Sequence, residues 1–446
     1  MDSNGTGSRW EQYLGALRTE FVKLARLEFL QPDGSVAFAV DTNPKNKRST
    51  AFIQSGTLTV NLQNGPRRTA TVTLGNLDGA FEYNVNKIWF GQKILLSEGL
   101  VLPDGTDFYL PQGEFYVRDP EEKLLPGTRT VTYHLEDKWS YLDGTLFGNL
   151  DGIYEVPRGS NVFEVIQSIL KLERGNGEII DYKAPVFTNY YNNQATVLPD
   201  GRTALATQLP YTYRNDAENG TYADVILEMS NILAAWIGYD ATGRLRVDPS
   251  QDDIQDGDKP VRWEFYPSEK DFLGATYTSK NTDVYNDIIV VGESLSQYGY
   301  IAGRAQNADP SSDTNINIIG RKVYKESAAG YYTGKQCESL AMFRLKRQTI
   351  LQKSVTIQSG QLFHLSENQV VTIRRPDKEG APTERHLVTG FTRPIAQNGP
   401  MQINATSVND YVTATVVYPG GQVANAPLAV GAKVTGQHEV QYAETA

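Results

Sequence analysis

The sequence is poor in the residues from which most metal and disulfide sites are built. It has one cysteine, Cys337, and four histidines, His134, His364, His386 and His438, among 446 residues. A single cysteine excludes an intramolecular disulfide and a cysteine-based zinc cluster. Because the histidines have no HxxxH or HExxH spacing, the sequence predicts no metal centre of those types.

Long apolar runs and an excess of positive charge are also missing. No run approaches the roughly 18 apolar residues that a membrane-spanning helix needs. The N-terminus, MDSNGTGSRW, does not follow the plan of a secretory signal peptide. Lys and Arg number 42 against 52 Asp and Glu, a net charge of −10, which disfavours a protein that holds nucleic-acid phosphates. We expect a soluble protein with no stable membrane insertion, made in a reducing compartment or indifferent to oxidation.

No catalytic motif is found: GxSxG, a Walker A loop and GxGxxG after a strand are all absent from the sequence. Cys337 lies on the apolar stripe of a predicted helix, so a core thiol is favoured over a nucleophile. His134 and His386 lie on alternating strands, where structural histidines are expected. Glu121 and Glu122 are expected in a solvated turn rather than in acid–base catalysis.

Charged clusters also favour structural interpretations. The loop SQDDIQDGDKP carries four carboxylates: Asp252, Asp253, Asp256 and Asp258. Their spacing does not fit the DxDxDG-x5-E calcium loop, which favours a solvated acidic loop. Arg344, Lys346 and Arg347 end a predicted helix and complement its C-terminal dipole, and Arg374 and Arg375 are expected at the charged end of a strand. The sequence therefore predicts no catalytic, cofactor-binding or metal-binding residues.

What is abundant indicates a mainly β protein. The chain has 25 Tyr, 39 Gly and 21 Pro, which suit strands and tight turns. Alternating apolar and polar residues from Leu24 to Tyr141 predict successive strands, with turns at Pro32-Asp33-Gly34, Asn64-Gly65 and Pro103-Asp104-Gly105. Strands at such short intervals indicate a barrel or sandwich.

Four helices are predicted from their spacing and capping residues. They run from Trp10 to Val22, from Asn161 with Glu164 three residues on, from Thr221 with Asp224 to an end at Gly238, and from Thr333 with Gln336 to about Arg347. The first helix is expected to dock on the fold, or to be an arm that orders on assembly. The Tyr- and Asn-rich segment TNYYNNQATVLPDGRT between the second and third helices is expected to be a loop or a β-excursion.

Two stretches about 270 residues apart follow one scheme of strands and Gly-containing turns. One runs from GQKILLSEG to EDKWSYL and the other from ENQVVTIRRPDKEG to NDYV. Each closes on a polar pair and an aromatic residue: Glu136, Asp137 and Trp139, and Asn409, Asp410 and Tyr411. This internal echo predicts two copies of one β module with an α+β module inserted between them.

The predicted fold is mainly β with an α+β insertion: two related β-barrel-like domains flanking an α+β module. Its regions are an N-terminal arm or helix over 1–22, a first β-barrel-like domain over 23–148, an α+β module over 149–275, a second β-barrel-like domain with one helix over 276–415, and a C-terminal tail over 416–446. The tail is expected to be a linker or a docking strand.

Four segments, in order, resemble the central hub protein of tailed-phage baseplates, a scaffold shared with the N-terminal part of siphophage tail-associated lysins. They are PQGEFYVRD followed by TVTYHLEDKWSYLDG, TYADVILEMSNILAAWIGYDATGRLRVDP, YNDIIVVGES, and DPSSDTNINIIGRKVYKESAAGYYTGKQCESLAMFRL before strands ending in NQVVTI. The resemblance covers about residues 20 to 415. It implies two similar barrels per chain, which in a trimer give a pseudo-sixfold ring between a sixfold tail tube and a threefold tip.

The resemblance implies a structural, non-enzymatic virion protein at the tail tip or baseplate of a phage or gene transfer particle, assembled in the host cytoplasm. Its expected partners are two further copies, a distal tail or tail-tube protein, a tip spike, fibre or lysin, a tape-measure protein, and DNA only in transit during genome ejection. The loops around Pro103 and Tyr190 are candidate interfaces. Only about 30 residues follow the second barrel, which speaks against cell-wall hydrolysis by this chain.

Two other functions stay open at the level of sequence. One is a carbohydrate-binding receptor protein that uses the abundant tyrosines. The other is a tail-associated cell-wall hydrolase acting through the Asp252 to Asp258 region, which would need a concave site with a carboxyl group of raised pKa.

Overall fold

The protein is described by a computed structural model. The residues it describes are 8–31, 34–42, 51–76, 79, 81, 92–175, 177–187, 195–197, 203–205, 207–209, 212–215, 217–233, 235–249, 259–280, 284–292, 300–310, 312–328, 331, 334–348, 352–408, 413–417, 423–427 and 441–442.

Strands dominate the described chain, which confirms the mainly β prediction. In its first half the elements are α1 (Ser8–Leu17), β1 (Lys23–Leu30), β2 (Val36–Asp41), β3 (Ala51–Asn61), β4 (Arg68–Asn76), β5 (Lys93–Val101), β6 (Asp107–Leu125), β7 (Thr128–Asp137), β8 (Tyr154–Val156), α2 (Val162–Leu170), β9 (Val186–Phe187), β10 (Ala195–Val197), β11 (Thr203–Leu205) and β12 (Tyr213–Asn215). In its second half they are α3 (Tyr222–Leu233), β13 (Ala235–Tyr239), β14 (Leu245–Pro249), β15 (Val261–Phe265), β16 (Phe272–Lys280), β17 (Asp287–Val291), β18 (Tyr300–Asn307), α4 (Ile316–Ile319), β19 (Val323–Ser327), α5 (Gly334–Gln348), β20 (Gln352–Ser359), β21 (Val370–Arg374), β22 (Thr383–Ile395), β23 (Met401–Ser407), β24 (Thr413–Val417), β25 (Val423–Pro427) and β26 (Gln441–Tyr442).

One sheet, with 13 strands among the described residues, forms the body of the molecule. Its path is β16-β20-β23-β22-β3-β4-β7-β6-β5-β1-β2, with β21 beside β22 and β15 beside β21. Residues 390–395 of β22 pair with residues 56–61 of β3. Strands from the beginning and the end of the chain therefore share one continuous hydrogen-bonded sheet.

The predicted hairpins are present where the sequence places them. Asn64-Gly65 lies between the paired strands β3 and β4, and Pro103-Asp104-Gly105 lies between β5 and β6. The two stretches of the internal echo form matching antiparallel meanders, β5-β6-β7 and β21-β22-β23. Both meanders lie in the same sheet.

The first helix is docked on this sheet and is shorter than predicted. It ends at Leu17, whereas the spacing predicts a helix to Val22, which is 55% exposed. The Thr19 hydroxyl donates to the Ala16 carbonyl at 3.0 Å and so satisfies one of the carbonyl groups that a helix end leaves free. Tyr13 is fully buried in the main apolar core.

The α+β segment packs α2 and α3 around its own apolar core. The predicted caps are confirmed: Asn161 accepts from the backbone N–H of Phe163 at 2.9 Å, and Thr221 and Asp224 bond each other reciprocally. The predicted end of α3 at Gly238 is wrong. The helix ends at Leu233, and residues 235–239 form β13 against β14. Periodicity misses this boundary because the apolar helix stripe runs directly into an apolar strand.

The Tyr- and Asn-rich segment is a β-excursion where it is described, since β10 pairs with β11. Residues 190–193 lie outside the described residues. The tail also forms strands in its described parts. β25 pairs with β24, and β26 pairs with the start of β18, as expected of a docking strand.

The later part of the chain holds another, smaller sheet, which has six strands among the described residues and is built around β17, β18 and β19. Helix α5 covers it with Cys337, Ala341 and Leu345. The polar segment GRAQNADPSSDTNINIIGRK contains most of β18 and all of α4. β15 and β16 join the main sheet through β21 and β20, so the boundary expected at residue 275 falls inside a strand of that sheet. Thr333, the expected cap of α5, lies outside the described residues.

Candidate functional site

A group of charged and amide side chains lies inside the main core, where strands from the two ends of the chain meet. This polar seam comprises Lys23, Arg68, Glu98, Gln112, Gln361, Glu367 and Arg393. Charged groups are almost never fully buried unless they are paired. The seam is therefore a specific arrangement that links residues more than 290 positions apart.

Arg393 is the centre of the polar seam. It is fully buried and donates to Glu98 Oε2 from Nε at 3.0 Å and from Nη2 at 2.6 Å. Nη1 donates to the Leu362 carbonyl at 2.7 Å, and Nη2 also reaches Gln112 Oε1 at 2.6 Å. One guanidinium group thus joins β22 to strands β5 and β6.

Glu98 has a second cationic neighbour. Lys23 Nζ lies 3.1 Å from Glu98 Oε1 and also donates to Gln361 and to the Pro394 carbonyl. Burial lowers the pKa of Lys23 to about 8, although Glu98 opposes that shift. The carboxylate of Glu98 is therefore enclosed by Lys23 on one side and Arg393 on the other.

Arg68 forms a second link across the seam. Its Nη2 donates to Glu367 Oε2 and to Ser366 Oγ, each at 2.6 Å, and its Nη1 to the Gln112 carbonyl at 3.0 Å. Burial alone would raise the pKa of Glu367, but Arg68 and Arg67 hold it below its usual value. Glu367 is therefore held as a carboxylate inside the core.

The seam was not predicted, although the sequence carries a signal for it. Glu98 alternates in step with the inward-facing Ile94 and Leu96 of β5, and Arg393 does so with Phe391 of β22. All five side chains are at most 1% exposed. A charge at an inward position of an alternating strand marks a buried ion. The pattern does not identify the partner, because the partners lie on distant strands.

A second polar cluster joins the main sheet to the α+β segment. Lys138 is 2% exposed and lies 2.7 Å from Asp181 Oδ1 and 3.4 Å from Glu114 Oε2. Burial would raise the pKa of Glu114, but Lys138, Lys93 and Lys183 together lower it to about 2. These contacts hold the 138–141 turn against the segment that follows it.

The β3–β4 hairpin tip makes a third junction. Asn64 Oδ1 accepts from the backbone N–H of Ile237 at 2.9 Å, and the N–H of Gly65 donates to the Ile237 carbonyl at 3.1 Å. Gly65 has φ 98°, a left-handed conformation that favours glycine. The hairpin turn is thus both a local chain reversal and an attachment to β13.

Asp137, one of the residues that closes the first echo stretch, fixes the beginning of β4, just after the hairpin turn. Its Oδ2 accepts from the backbone N–H groups of Arg67 and Arg68, each at 2.9 Å. Its Oδ1 accepts from the N–H of Trp139 at 3.0 Å. Burial raises the pKa of Asp137 to about 6. Asn409 and Asp410, the equivalent pair of the second stretch, lie outside the described residues.

The residues considered singly for catalysis lie in different elements of the fold: Cys337 in α5, His134 in β7, and Glu121 and Glu122 in β6. Cys337 is fully buried, and burial raises the pKa of its thiol to about 12, as expected of a core thiol. His134 is exposed on β7. Glu121 and Glu122 lie in β6 and not in a turn, because β6 continues through a register shift after Arg118. Among the described residues, no group of three or more His, Cys, Asp or Glu is placed to hold a metal ion.

The charged clusters are distributed as follows. The acidic loop from Asp252 to Asp258 lies outside the described residues. Arg344 Nε donates to Glu326 at 3.0 Å, so its partner is a strand carboxylate. Arg375 lies just past the end of β21, bonded to Asp377 at 2.6 and 2.8 Å. Of the two loops considered as interfaces, the one at Pro103 is exposed and the one at Tyr190 is not described.

His386 makes the stability of the protein depend on pH. It is fully buried, 3.7 Å from Glu384, and burial lowers its pKa from 6.5 to about 4. The unfolded chain therefore binds a proton below pH 6.5 that the folded chain does not bind until about pH 4. Its contribution to stability is full above pH 6.5 and falls by about 3 kcal/mol as the pH drops towards 4.

Urea unfolding at pH 7.5 and pH 4.5 checks this prediction. His386→Leu should reduce the loss of unfolding free energy between the two pH values, and His134→Leu, at an exposed position of β7, should leave it unchanged. An identical pH dependence in the His386 variant and the parent chain would contradict the assignment.

No helix in the described part of the chain is both long and apolar enough to cross a membrane. No family model and no curated protein matches the sequence. Solved structures do match its fold. A tail protein from Neisseria meningitidis MC58 aligns with TM-score 0.52 and 9% identity over 86% of this chain and 97% of its own.

Two further tail proteins align over the same share of the chain. The 43 kDa tail protein of prophage MuSo2 from Shewanella oneidensis has TM-score 0.54 and 11% identity, covering 86% of this chain and 98% of its own. Prophage tail protein gp18 from Listeria monocytogenes EGD-e has TM-score 0.50 and 9% identity, covering 86% and 94%. The chain therefore has the fold of phage tail proteins, as the sequence resemblance predicts.

Proposed function

We propose that this chain is a structural virion protein, the homotrimeric hub at the tip of a phage tail or tail-derived particle. The observation that carries the proposal is the fold, which aligns with those tail proteins over 86% of this chain and nearly their full length. The role is mechanical and not enzymatic. The hub joins the distal tail or tail tube to a spike, fibre or lysin.

The internal geometry suits that role. Two similar meanders, β5-β6-β7 and β21-β22-β23, lie in one continuous sheet and are locked by the polar seam. Three chains with two similar units each present six similar units around one axis, which is what contact with a sixfold tube requires. Buried ion pairs with many hydrogen bonds fix the orientation of their partners, so the two units of a chain move together.

The remaining partners follow from the position of a hub. A tape-measure protein and the ejected DNA pass through the ring, and the α+β segment faces the tip. A net charge of −10 is consistent with a conduit along which DNA slides without tight binding. The protein is then located in the virion, at the tail tip or baseplate.

Light scattering over a concentration series tests the trimer. The expected species has three times the chain mass of 49.5 kDa, and negative-stain images of it should show a ring with a central opening. A monomer at every concentration would contradict a hub that assembles by itself. Cell-wall zymography is expected to give no cleared zone, and clearing by the purified chain would overturn the non-enzymatic role.

A further inference from the structure

Among the described strands, the β6–β7 hairpin extends beyond its neighbours β5 and β4 as an arm, residues 119–129. On the β6 side, the described pairing with β5 reaches only as far as Tyr116, opposite Lys93. On the β7 side, the described pairing with β4 reaches only as far as Thr130, opposite Gly75. Residues 121–128 are all exposed. The arm ends in Leu124 and Leu125, 72% and 48% exposed. Leucines at the end of an otherwise polar hairpin lack the burial that stabilises apolar side chains.

A second exposed apolar surface lies on the smaller sheet, on residues 318–325. Ile318 and Ile319 of α4 are 63% and 43% exposed, and Val323 of β19 is 42% exposed. β19 pairs with β17 on one side, and no strand among the described residues pairs with its other side. Apolar side chains beside an open strand edge form a surface that another chain can cover.

The charges around the two surfaces are opposite. The arm carries three carboxylates, Asp119, Glu121 and Glu122, against two cations, one of which, Arg129, is already bonded to Glu122 at 2.7 Å. Residues 318–325 contain no carboxylate and three cations: Lys322, Lys325, and Arg321, which is already bonded to Asp287. An apolar centre with a charged rim of opposite sign is the arrangement that selects one partner surface over others.

We propose that the arm of one copy of this chain docks on the 318–325 surface of the next copy, with Leu124 and Leu125 against Ile318, Ile319 and Val323. The contact joins two different faces, so it is head-to-tail and closes into a ring when the rotation per copy allows. The proposal rests on the trimer proposed above and names the faces that form it.

Cysteine cross-linking tests the contact directly. The chain has one native cysteine, which is buried, so engineered thiols react against a low background. Leu124→Cys and Ile318→Cys are made separately and oxidised alone and mixed. A covalent dimer is expected only in the mixture. The chain carrying both substitutions is expected to give a covalent trimer on a non-reducing denaturing gel.

Leu124→Cys mixed with Ile153→Cys is the matched control, since Ile153 is 60% exposed but lies outside the proposed contact. Dimers from either single variant alone would mean that like faces meet, which overturns the head-to-tail contact. A trimer by light scattering with no cross-link would overturn this contact and leave the proposed hub in place. A monomer throughout would overturn this contact and also the hub that assembles by itself.

Charge exchange gives an independent check. Glu121→Lys and Lys325→Glu are each expected to raise the dissociation constant of the assembly about tenfold, because each replaces an attraction across the contact with a repulsion. The two substitutions together should recover most of the parental affinity. Additive weakening in the double variant would contradict the proposed contact.

Discussion

Replacement of Arg393 by methionine is expected to destabilise the protein by about 3–5 kcal/mol. The variant keeps most of the side-chain volume but removes the guanidinium group that bonds Glu98, Gln112 and the Leu362 carbonyl. Glu98 is fully buried and would lose one of its two cations. An ion left in a core without its partner costs far more than the pair contributes when intact.

Urea unfolding monitored by fluorescence measures the effect, and Arg374→Met is the matched control. Arg374 is an exposed arginine on β21, and its replacement should change stability by less than about 0.5 kcal/mol. Adding Glu98→Gln to Arg393→Met should recover part of the loss, because it removes a buried carboxylate that Arg393 no longer neutralises and that keeps Lys23 as a neighbour at 3.1 Å. Equal effects of the Arg393 and Arg374 substitutions would show that the polar seam does not hold the two meanders together.

Local features of this fold are predictable from sequence because they depend on neighbouring residues. Asn64-Gly65 specifies a tight turn through its backbone preferences, and Asn161 caps α2 through its own side chain. The end of α3 is not specified in this way. An apolar helix stripe and an apolar strand meet at residues 233–235, and tertiary pairing with β14 determines which residues become strand.

Long-range features are only partly encoded in local patterns. The internal echo predicts two similar meanders, and both are present, but no local signal indicates that β22 pairs with β3 in one sheet. Glu98 and Arg393 each occupy an inward-facing position of an alternating strand, which indicates that each is buried. The strand pattern does not indicate which residue each one pairs with. The segment YNDIIVVGES is identifiable as a strand, but its pattern does not show that β17 belongs to a sheet separate from the main one.

Replacement of Tyr13 by alanine is expected to destabilise the isolated chain by about 3–5 kcal/mol. Tyr13 is fully buried, its ring stacks on Phe108 with centroids 4.9 Å apart, and its hydroxyl lies 3.0 Å from His364 Nδ1. Alanine leaves a cavity between α1 and the main sheet. Tyr13→Phe keeps the packing and loses only the hydrogen bond, which costs about 1 kcal/mol.

The same pair of variants distinguishes the two roles that the sequence leaves open for the N-terminal helix. If α1 is part of the fold, the alanine variant lowers the urea midpoint of the isolated chain and the phenylalanine variant lowers it much less. If α1 is an arm that orders only on assembly, neither variant changes that midpoint, and both weaken assembly alone. Because Tyr13 contacts both Phe108 of β6 and His364 near β21, a docked α1 also braces the two meanders against each other. The alanine variant should then speed amide hydrogen exchange in β6 and β21 together. Loosening of an α1 that does not pack on the sheet would not produce this effect.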